Sequence, residues 1–314
     1  MPVSINYNSK AELRAFLDEH NLGMRKKFGQ NFLINPAVRL RLLDALELES
    51  GDNVWEIGPG LGAMTAGLLE RGGRVTAFEI DPAFSRILRE FFAGESLAGE
   101  CFAAESSGPE PAFRLIEGDV LKTWRTVKNS ASIPPANMPT EETLLFGNLP
   151  YNLAAALLAD FIEKGCFFKR MVVTVQREVA LRMAARPGSA DYSSFSVLCS
   201  SVYKISPLLV IKGSSFYPVP RVDSQGVRLD LLPQKEKLPR LFYPLVRSLF
   251  SSRRKTIKNT LTAFAASFIL KENREAAAEV LHRAGISGER RPETLDIQEF
   301  AALAAHLEEI VSHE

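Results

Sequence analysis

Between residue 53 and about residue 232 the chain alternates short apolar runs with longer amphipathic ones, and this restricts the folds open to it. NVWEI (53–57), RVTAFEI (74–80), FRLIEGDV (113–120), TLLFGNLP (143–150) and RMVVTVQ (170–176) are rich in Val, Ile, Leu and Phe. Most are bounded by Gly, Pro or charged residues, so they read as strands buried on both faces. The stretches between them, 62–71, 82–92, 152–164 and 176–186, carry helical spacing. Strand–helix–strand alternation requires crossover connections, hence a parallel sheet with helices on both faces. VYKISPLLVI (202–211) and GVRLDLL (226–232) break the rule. The segment joining them, KGSSFYPVPRVDSQ, holds two prolines and cannot be a helix. A late hairpin-like pair places one antiparallel strand in an otherwise parallel sheet of seven.

At 314 residues the chain exceeds one small domain and falls short of three. After LLPQKEKLP (231–239) the pattern turns helical to the end. The expected organisation is a catalytic α/β domain over 1–235, with an N-terminal extension at 1–24, and a small all-α domain over 236–314. Residues 93–112 and 126–142, rich in Gly, Pro, Ser, Ala and Glu, read as inserted surface loops. Cys101, Cys166 and Cys199 are too few and scattered for a disulfide framework or a zinc site, so reduced buried thiols and no metal are expected. MPVSINYNSKAELRAFLDEH lacks an apolar leader, and no run approaches the roughly 18 apolar residues of a membrane span. A cytoplasmic protein without a membrane partner is expected.

The first strand runs into WEIGPGLGAMTAGLLE, where Gly58, Gly60 and Gly62 crowd the turn into a helix. Glycine allows positive φ there and lets a ligand approach the main chain, and the helix that follows aims its amides at the same spot. Glu79 lies 21 residues after Gly58, at the end of the second strand, where a carboxylate can accept both hydroxyls of a ribose. The alternative is a purely structural tight turn. The dinucleotide fingerprint is G-x-G-x-x-G. The spacing here is G-x-G-x-G, with Glu56 two residues ahead. A ligand bearing a sulfonium and an amino acid, rather than phosphates, needs carboxylates and carbonyls at the turn. The string resembles motif I of the S-adenosylmethionine methyltransferases. Asp119, in EGDV, can hydrogen-bond an adenine amino group or, alternatively, cap the next segment.

Asn148-Leu149-Pro150-Tyr151 follows the fourth strand. The exocyclic amine of a base is planar and a poor nucleophile, because its lone pair is delocalised into the ring. Two acceptors for its two hydrogens can turn the lone pair toward an incoming methyl. The side-chain oxygen of Asn148 and the carbonyl of Leu149 can be those acceptors. Pro150 stiffens the turn and biases Leu149 toward an extended backbone. Tyr151 offers a face on which a flipped base can stack. Phe216, in SSFYPVPRVDS, is a candidate for the other side of that base; the alternative is a core Phe under a loop.

KKFGQNFLINPAV (26–38), EIGPGLGAMT (56–65), FEID (78–81), EGDV (117–120), FGNLPYN (146–152), VQREVALRM (175–183), FYPVPRVDS (216–224), FSSRRKTIKNTL (250–261) and RRPETLDIQEFAALA (290–304) occur in order. On these strings the chain resembles the rRNA adenine dimethyltransferase family over about residues 24–314. The resemblance implies a class I S-adenosylmethionine methyltransferase fold, Rossmann-like, with S-adenosylmethionine as methyl donor. It implies dimethylation of two adjacent adenines in a hairpin near the 3′ end of small-subunit rRNA, during ribosome biogenesis. It also implies that Asn31 and Leu33 contact the methionine end of the donor, and that Gly58, Glu79, Asp119 and Asn148 occupy the family's other cofactor positions.

Lys plus Arg number 38 and Asp plus Glu 37, so only local charge can point to RNA. His20–Leu43 holds five Lys/Arg, among them Arg25, Lys26 and Lys27, and no acid. Arg240–Thr260 holds six, among them Arg253, Arg254, Lys255 and Lys258, and no acid. Such runs suit a face laid on a phosphate backbone, the alternative being solvated helix surface. The expected partner is small-subunit rRNA within an immature small subunit, bound by a monomer. Rival readings are an adenine amino-methyltransferase acting on large-subunit rRNA or DNA, a non-catalytic RNA-binding assembly factor, and a dinucleotide oxidoreductase.

Overall fold

The computed structural model describes residues 5–23, 30–92, 112–129, 140–151, 153–233, 238–252, 254–268 and 273–312. Its elements in order are α1 (Lys10–Glu19), β1 (Phe32–Leu33), α2 (Pro36–Leu46), β2 (Asn53–Ile57), α3 (Ala63–Glu70), β3 (Arg74–Glu79), α4 (Pro82–Phe92), β4 (Phe113–Glu117), α5 (Val120–Asn129), β5 (Leu144–Asn148), α6 (Ala154–Glu163), β6 (Arg170–Gln176), α7 (Arg177–Met183), α8 (Ser194–Ser200), β7 (Tyr203–Ile211), β8 (Phe216–Tyr217), β9 (Ser224–Leu231), α9 (Phe242–Phe250), α10 (Ile257–Ala265), α11 (Asn273–Arg283) and α12 (Ile297–Ser312).

Seven strands form one sheet in the order β4-β3-β2-β5-β6-β9-β7. β4, β3, β2, β5 and β6 are parallel neighbours, and β9 runs antiparallel to β6. This is the mostly parallel sheet with one antiparallel strand expected from the strand pattern. β2 is an interior strand, and Val54, Trp55, Glu56 and Ile57 are all buried. One sheet face packs Leu42, Leu46, Leu68 and Phe146 into a core. Trp55 packs edge-on against Phe161 and Phe168, with ring centroids 6.5 and 5.6 Å away. Strand order reverses between β2 and β5. At that switch point neither crossover helix covers the carboxyl ends of the strands, and a crevice opens there.

Local chemistry sets the helix starts. Asn35 accepts from the Val38 amide at 3.2 Å, with Pro36 opening α2. Ser9 accepts from the Glu12 amide at 3.3 Å at the start of α1. The second expected insert begins later than the composition implied, because α5 continues through Asn129. Residues 130–139 of it and residues 93–111 of the first lie outside the described residues.

The chain divides into two compact units, Met1–Ala180 with Ser206–Leu231, and Leu181–Ile205 with Leu232–Glu314. The division therefore differs from a single cut at 235. Residues 181–205 belong to the helical unit because their apolar side chains are buried there. Tyr192 and Val197 are 1% and 0% exposed in one cluster with Leu245, Leu249, Phe300 and Leu303. The Tyr192 hydroxyl donates to the Leu295 carbonyl at 3.0 Å, and the Gly188 amide to the Glu293 carbonyl at 2.7 Å.

Candidate active site

β2 ends at Ile57, and the chain turns through Gly58, Gly60 and Gly62 with φ of 69°, 60° and 85° into α3. Gly62 is the N-cap of that helix in the left-handed region, where a Cβ would also lie 2.4 Å from the Phe92 ring. A Cβ on Gly60 would approach the Phe32 ring to 3.1 Å. The turn is thus closed to other residue types by conformation and by space.

β3 delivers Glu79 to the same place, 4% exposed. Its two carboxylate oxygens accept from the Gly60 amide at 3.1 Å and the Asp81 amide at 2.8 Å. The carboxylate thus fixes the glycine turn from the end of β3. Burial pushes the Glu79 carboxyl up to about 7. Asp119 follows β4 by two residues, and one of its oxygens accepts from the Leu121 amide at 3.1 Å. It therefore shapes the start of α5 while lining the cleft. Asn148 ends β5, and its Nδ2 donates to the Asn31 carbonyl at 2.8 Å. That bond orients the amide and leaves Oδ1 as its acceptor.

These elements enclose a cleft of about 1050 Å³, part of it open to solvent. Asn31, Leu33, Gly58, Gly60, Glu79, Asp119 and Asn148, assembled in the sequence from distant positions, all line it. Glu56 lies in its wall, 2% exposed, and accepts from the Thr65 hydroxyl at 2.6 Å. Desolvation, with the nearby Glu79 adding to it, raises the Glu56 carboxyl to about 8. Among the described lining residues there are three acids and no Lys, Arg or His. Such a wall repels a pyrophosphate and favours a ligand that carries positive charge and hydroxyl donors.

The other expected residues divide. Pro150 lines the cleft. Leu149 is 1% exposed, and its amide donates to the Thr174 carbonyl at 3.1 Å. Tyr151 is half-buried, its hydroxyl 2.6 Å from the Ser224 hydroxyl. Phe216, like Leu149 and Tyr151, is not among the residues that line the cleft. It pairs with Leu33 across the two-stranded β1–β8 sheet and is 1% exposed in the core. Adjacent residues on a strand point to opposite faces, and Phe216 takes the inner one. Arg254, Lys255 and Lys258 are exposed, while Arg25, Lys26, Lys27 and Arg253 lie outside the described residues. Arg254 and Lys255 precede α10, which starts at Ile257. The Ile257 and Lys258 amides donate to the Arg290 and Gly288 carbonyls at 2.9 and 3.0 Å.

Two lining residues had no signal in the sequence. Tyr7 and Leu13 belong to the N-terminal extension, and only folding back onto the glycine turn brings them to the cleft. Ile80, 40% exposed, follows Glu79 and was legible only as the end of a strand.

A family model for ribosomal RNA adenine dimethylase matches residues 21–303. The chain is 41% identical over 310 residues to the ribosomal RNA small subunit methyltransferase A of Treponema denticola, spanning 98% of this chain and 96% of that protein. It is 38% identical over 307 residues to the protein of the same name from Borreliella afzelii, spanning 97% and 96%. Among solved structures, a dimethyladenosine transferase from Plasmodium falciparum superposes with a TM-score of 0.69 at 23% identity, over 88% of this chain and 96% of that one. The 23S rRNA methyltransferase ErmE gives 0.57 at 22% identity, over 88% and 99%. The two superpositions establish the shared fold. The sequence matches, which run through the glycine turn, Glu79, Asp119 and the Asn148 turn alike, establish that the chain belongs to the ribosomal RNA adenine dimethylase family.

Proposed function

We propose that this chain dimethylates the exocyclic amines of two adjacent adenines in a hairpin near the 3′ end of small-subunit rRNA, within an immature small subunit, acting as a monomer. The observation that carries the chemistry is the fixed amide of Asn148 at the carboxyl end of β5, beside the glycine turn. A Cβ built on Gly58 would lie 4.0 Å from the Asn148 main-chain oxygen, so the two strand ends meet.

The cleft suits S-adenosylmethionine, which supplies an electrophilic methyl group and carries a sulfonium, an ammonium and a ribose. Glu56 and Glu79 are buried acids whose ionisation a cationic ligand favours. Glu79 holds lone pairs for the ribose hydroxyls, and Asp119 a carboxylate oxygen for the adenine amine. Leu33 on β1 and Asn31 just before it border the methionine end.

On the RNA side, Asn148 Oδ1 and the Leu149 carbonyl accept the two hydrogens of the target amine and turn its lone pair toward the methyl. Tyr151, set by its bond to Ser224, stacks on the flipped base. Methylation leaves positive charge on the nitrogen, which lowers its proton's pKa, so water takes the proton and no buried base is required. Orientation and proximity supply most of the acceleration.

Single-turnover transfer from labelled S-adenosylmethionine to immature small subunits tests the reading. Wild-type protein should label adjacent adenines. Asn148→Ala should bind subunits like wild type but transfer at least roughly 100-fold more slowly at saturating donor, since it loosens the amine. Transfer at the wild-type rate would remove Asn148 from the mechanism. Absence of transfer by wild-type protein would favour an assembly factor without catalysis.

A further inference from the structure

The family match begins at residue 21, yet the residues before it reach the cleft. Leu13, Phe16 and Leu17 on the inner face of α1 are buried with Leu61, Phe84 and Ile87. Tyr7 and Leu13 form part of the cleft wall. The Tyr7 hydroxyl donates to the Leu61 carbonyl at 2.9 Å, on the residue between Gly60 and Gly62. Arg39 ties the same segment to β1: it donates to the Leu33 carbonyl at 2.8 Å and to the Asn8 side chain. One short segment thus holds both the glycine turn and the strand opposite it.

The three glycines of the turn contribute no side chains to fix it, and glycine loses more conformational entropy on ordering than any other residue. Glu79 anchors the turn from the sheet side, through the Gly60 amide. Tyr7 anchors the next residue from the N-terminal side. Burial and the neighbouring Glu56 hold the Tyr7 hydroxyl up at about 12, so it remains a donor throughout the neutral range.

We propose that residues 5–22 are a working part of the donor cleft, with Tyr7 as a positioning residue that sets the glycine turn for S-adenosylmethionine. This rests on the reading of the cleft as the donor site. The segment acts on donor affinity and not on the RNA or the transfer step.

Calorimetry on the full chain with S-adenosylmethionine and S-adenosylhomocysteine tests this. Tyr7→Phe keeps the ring and removes the hydroxyl, so both ligands should bind roughly five- to tenfold more weakly, the loss of about one hydrogen bond. KM for the donor should rise in proportion, with kcat and KM for rRNA unchanged and the protein still folded. Tyr7→Ala should weaken binding further. Arg14→Ala, on the exposed face of the same helix with its side chain 72% accessible, should bind like wild type. Wild-type donor affinity in both Tyr7 variants, or a fall in kcat at constant donor KM, would overturn the proposal. Wild-type protein that bound neither ligand would overturn the reading of the cleft itself, and this inference with it.

Discussion

Glu56 is an acid placed near the carboxyl end of β2, an interior strand, where a parallel sheet ordinarily carries only apolar side chains. A carboxylate without a cation beside it is costly there, and the group holds its proton instead. Glu56 is raised to about 8 and Glu79 to about 7, against an ordinary value of 4.5. Both folded-state values lie above the unfolded ones. Their contribution to stability is therefore complete below about pH 4.5 and is lost as pH rises through about 7 and 8. The ligand-free protein should lose thermal stability between about pH 4.5 and 8. A cationic donor reverses the preference, so its affinity should rise over the same window, and binding should release protons. Calorimetry in buffers of different ionisation enthalpy reads that release. Glu56→Gln keeps an acceptor for Thr65 and removes the titration. It should flatten the decline in stability and weaken donor binding by roughly tenfold or more, the value of a charge-assisted contact. If the variant follows the wild-type pH curve, Glu56 does not carry the linkage.

At the scale of elements, legibility followed burial and length. β2, β3, β5 and β6 are apolar on both faces, and their bounds agree with the sequence reading to within two residues. α9 to α12 were legible from their periodic apolar faces. β1 and β8 were not, because a two-residue strand has no period to read. For the same reason the sequence did not tell whether Phe216 takes the inner or the outer face of β8. α8 was missed because SFSVLCS is short and polar at its start. Its place in the helical unit is set by tertiary burial rather than by propensity. Tyr192 marks that attachment, and its hydroxyl is the one donor it offers to the Leu295 carbonyl. Tyr192→Phe should destabilise the protein by about 1–2 kcal/mol, because a buried carbonyl loses its partner while the ring remains. Chemical denaturation checks this; an unchanged midpoint and slope would show that the carbonyl finds another donor.

Over the whole molecule the charges nearly cancel, yet they are sorted along the chain. Residues 292–314 carry six acids and no Lys or Arg, whereas each compact unit contains one acid-free basic run. Not every cation in those runs is available to RNA. Arg39 is committed to the Leu33 carbonyl and the Asn8 side chain, so the first run loses a member to the fold. In the second, Arg254, Lys255 and Lys258 are exposed around the start of α10. The first two amides of that helix are already satisfied by the Arg290 and Gly288 carbonyls. A phosphate there would meet side-chain charge rather than an open helix end, so the interaction should be mostly counterion release. Its strength then follows the number of cations and the salt concentration. Lys255→Gln with Lys258→Gln should weaken binding to small subunits most at low salt. If each lysine meets one phosphate, the slope of log affinity against log salt should become shallower by about 1.4 to 1.8. Donor affinity should remain at the wild-type value, since neither lysine lines the cleft. Filter binding across a salt series reads both quantities. A slope that stays put would make the two lysines ordinary solvated surface and shift the RNA contact to the first basic run.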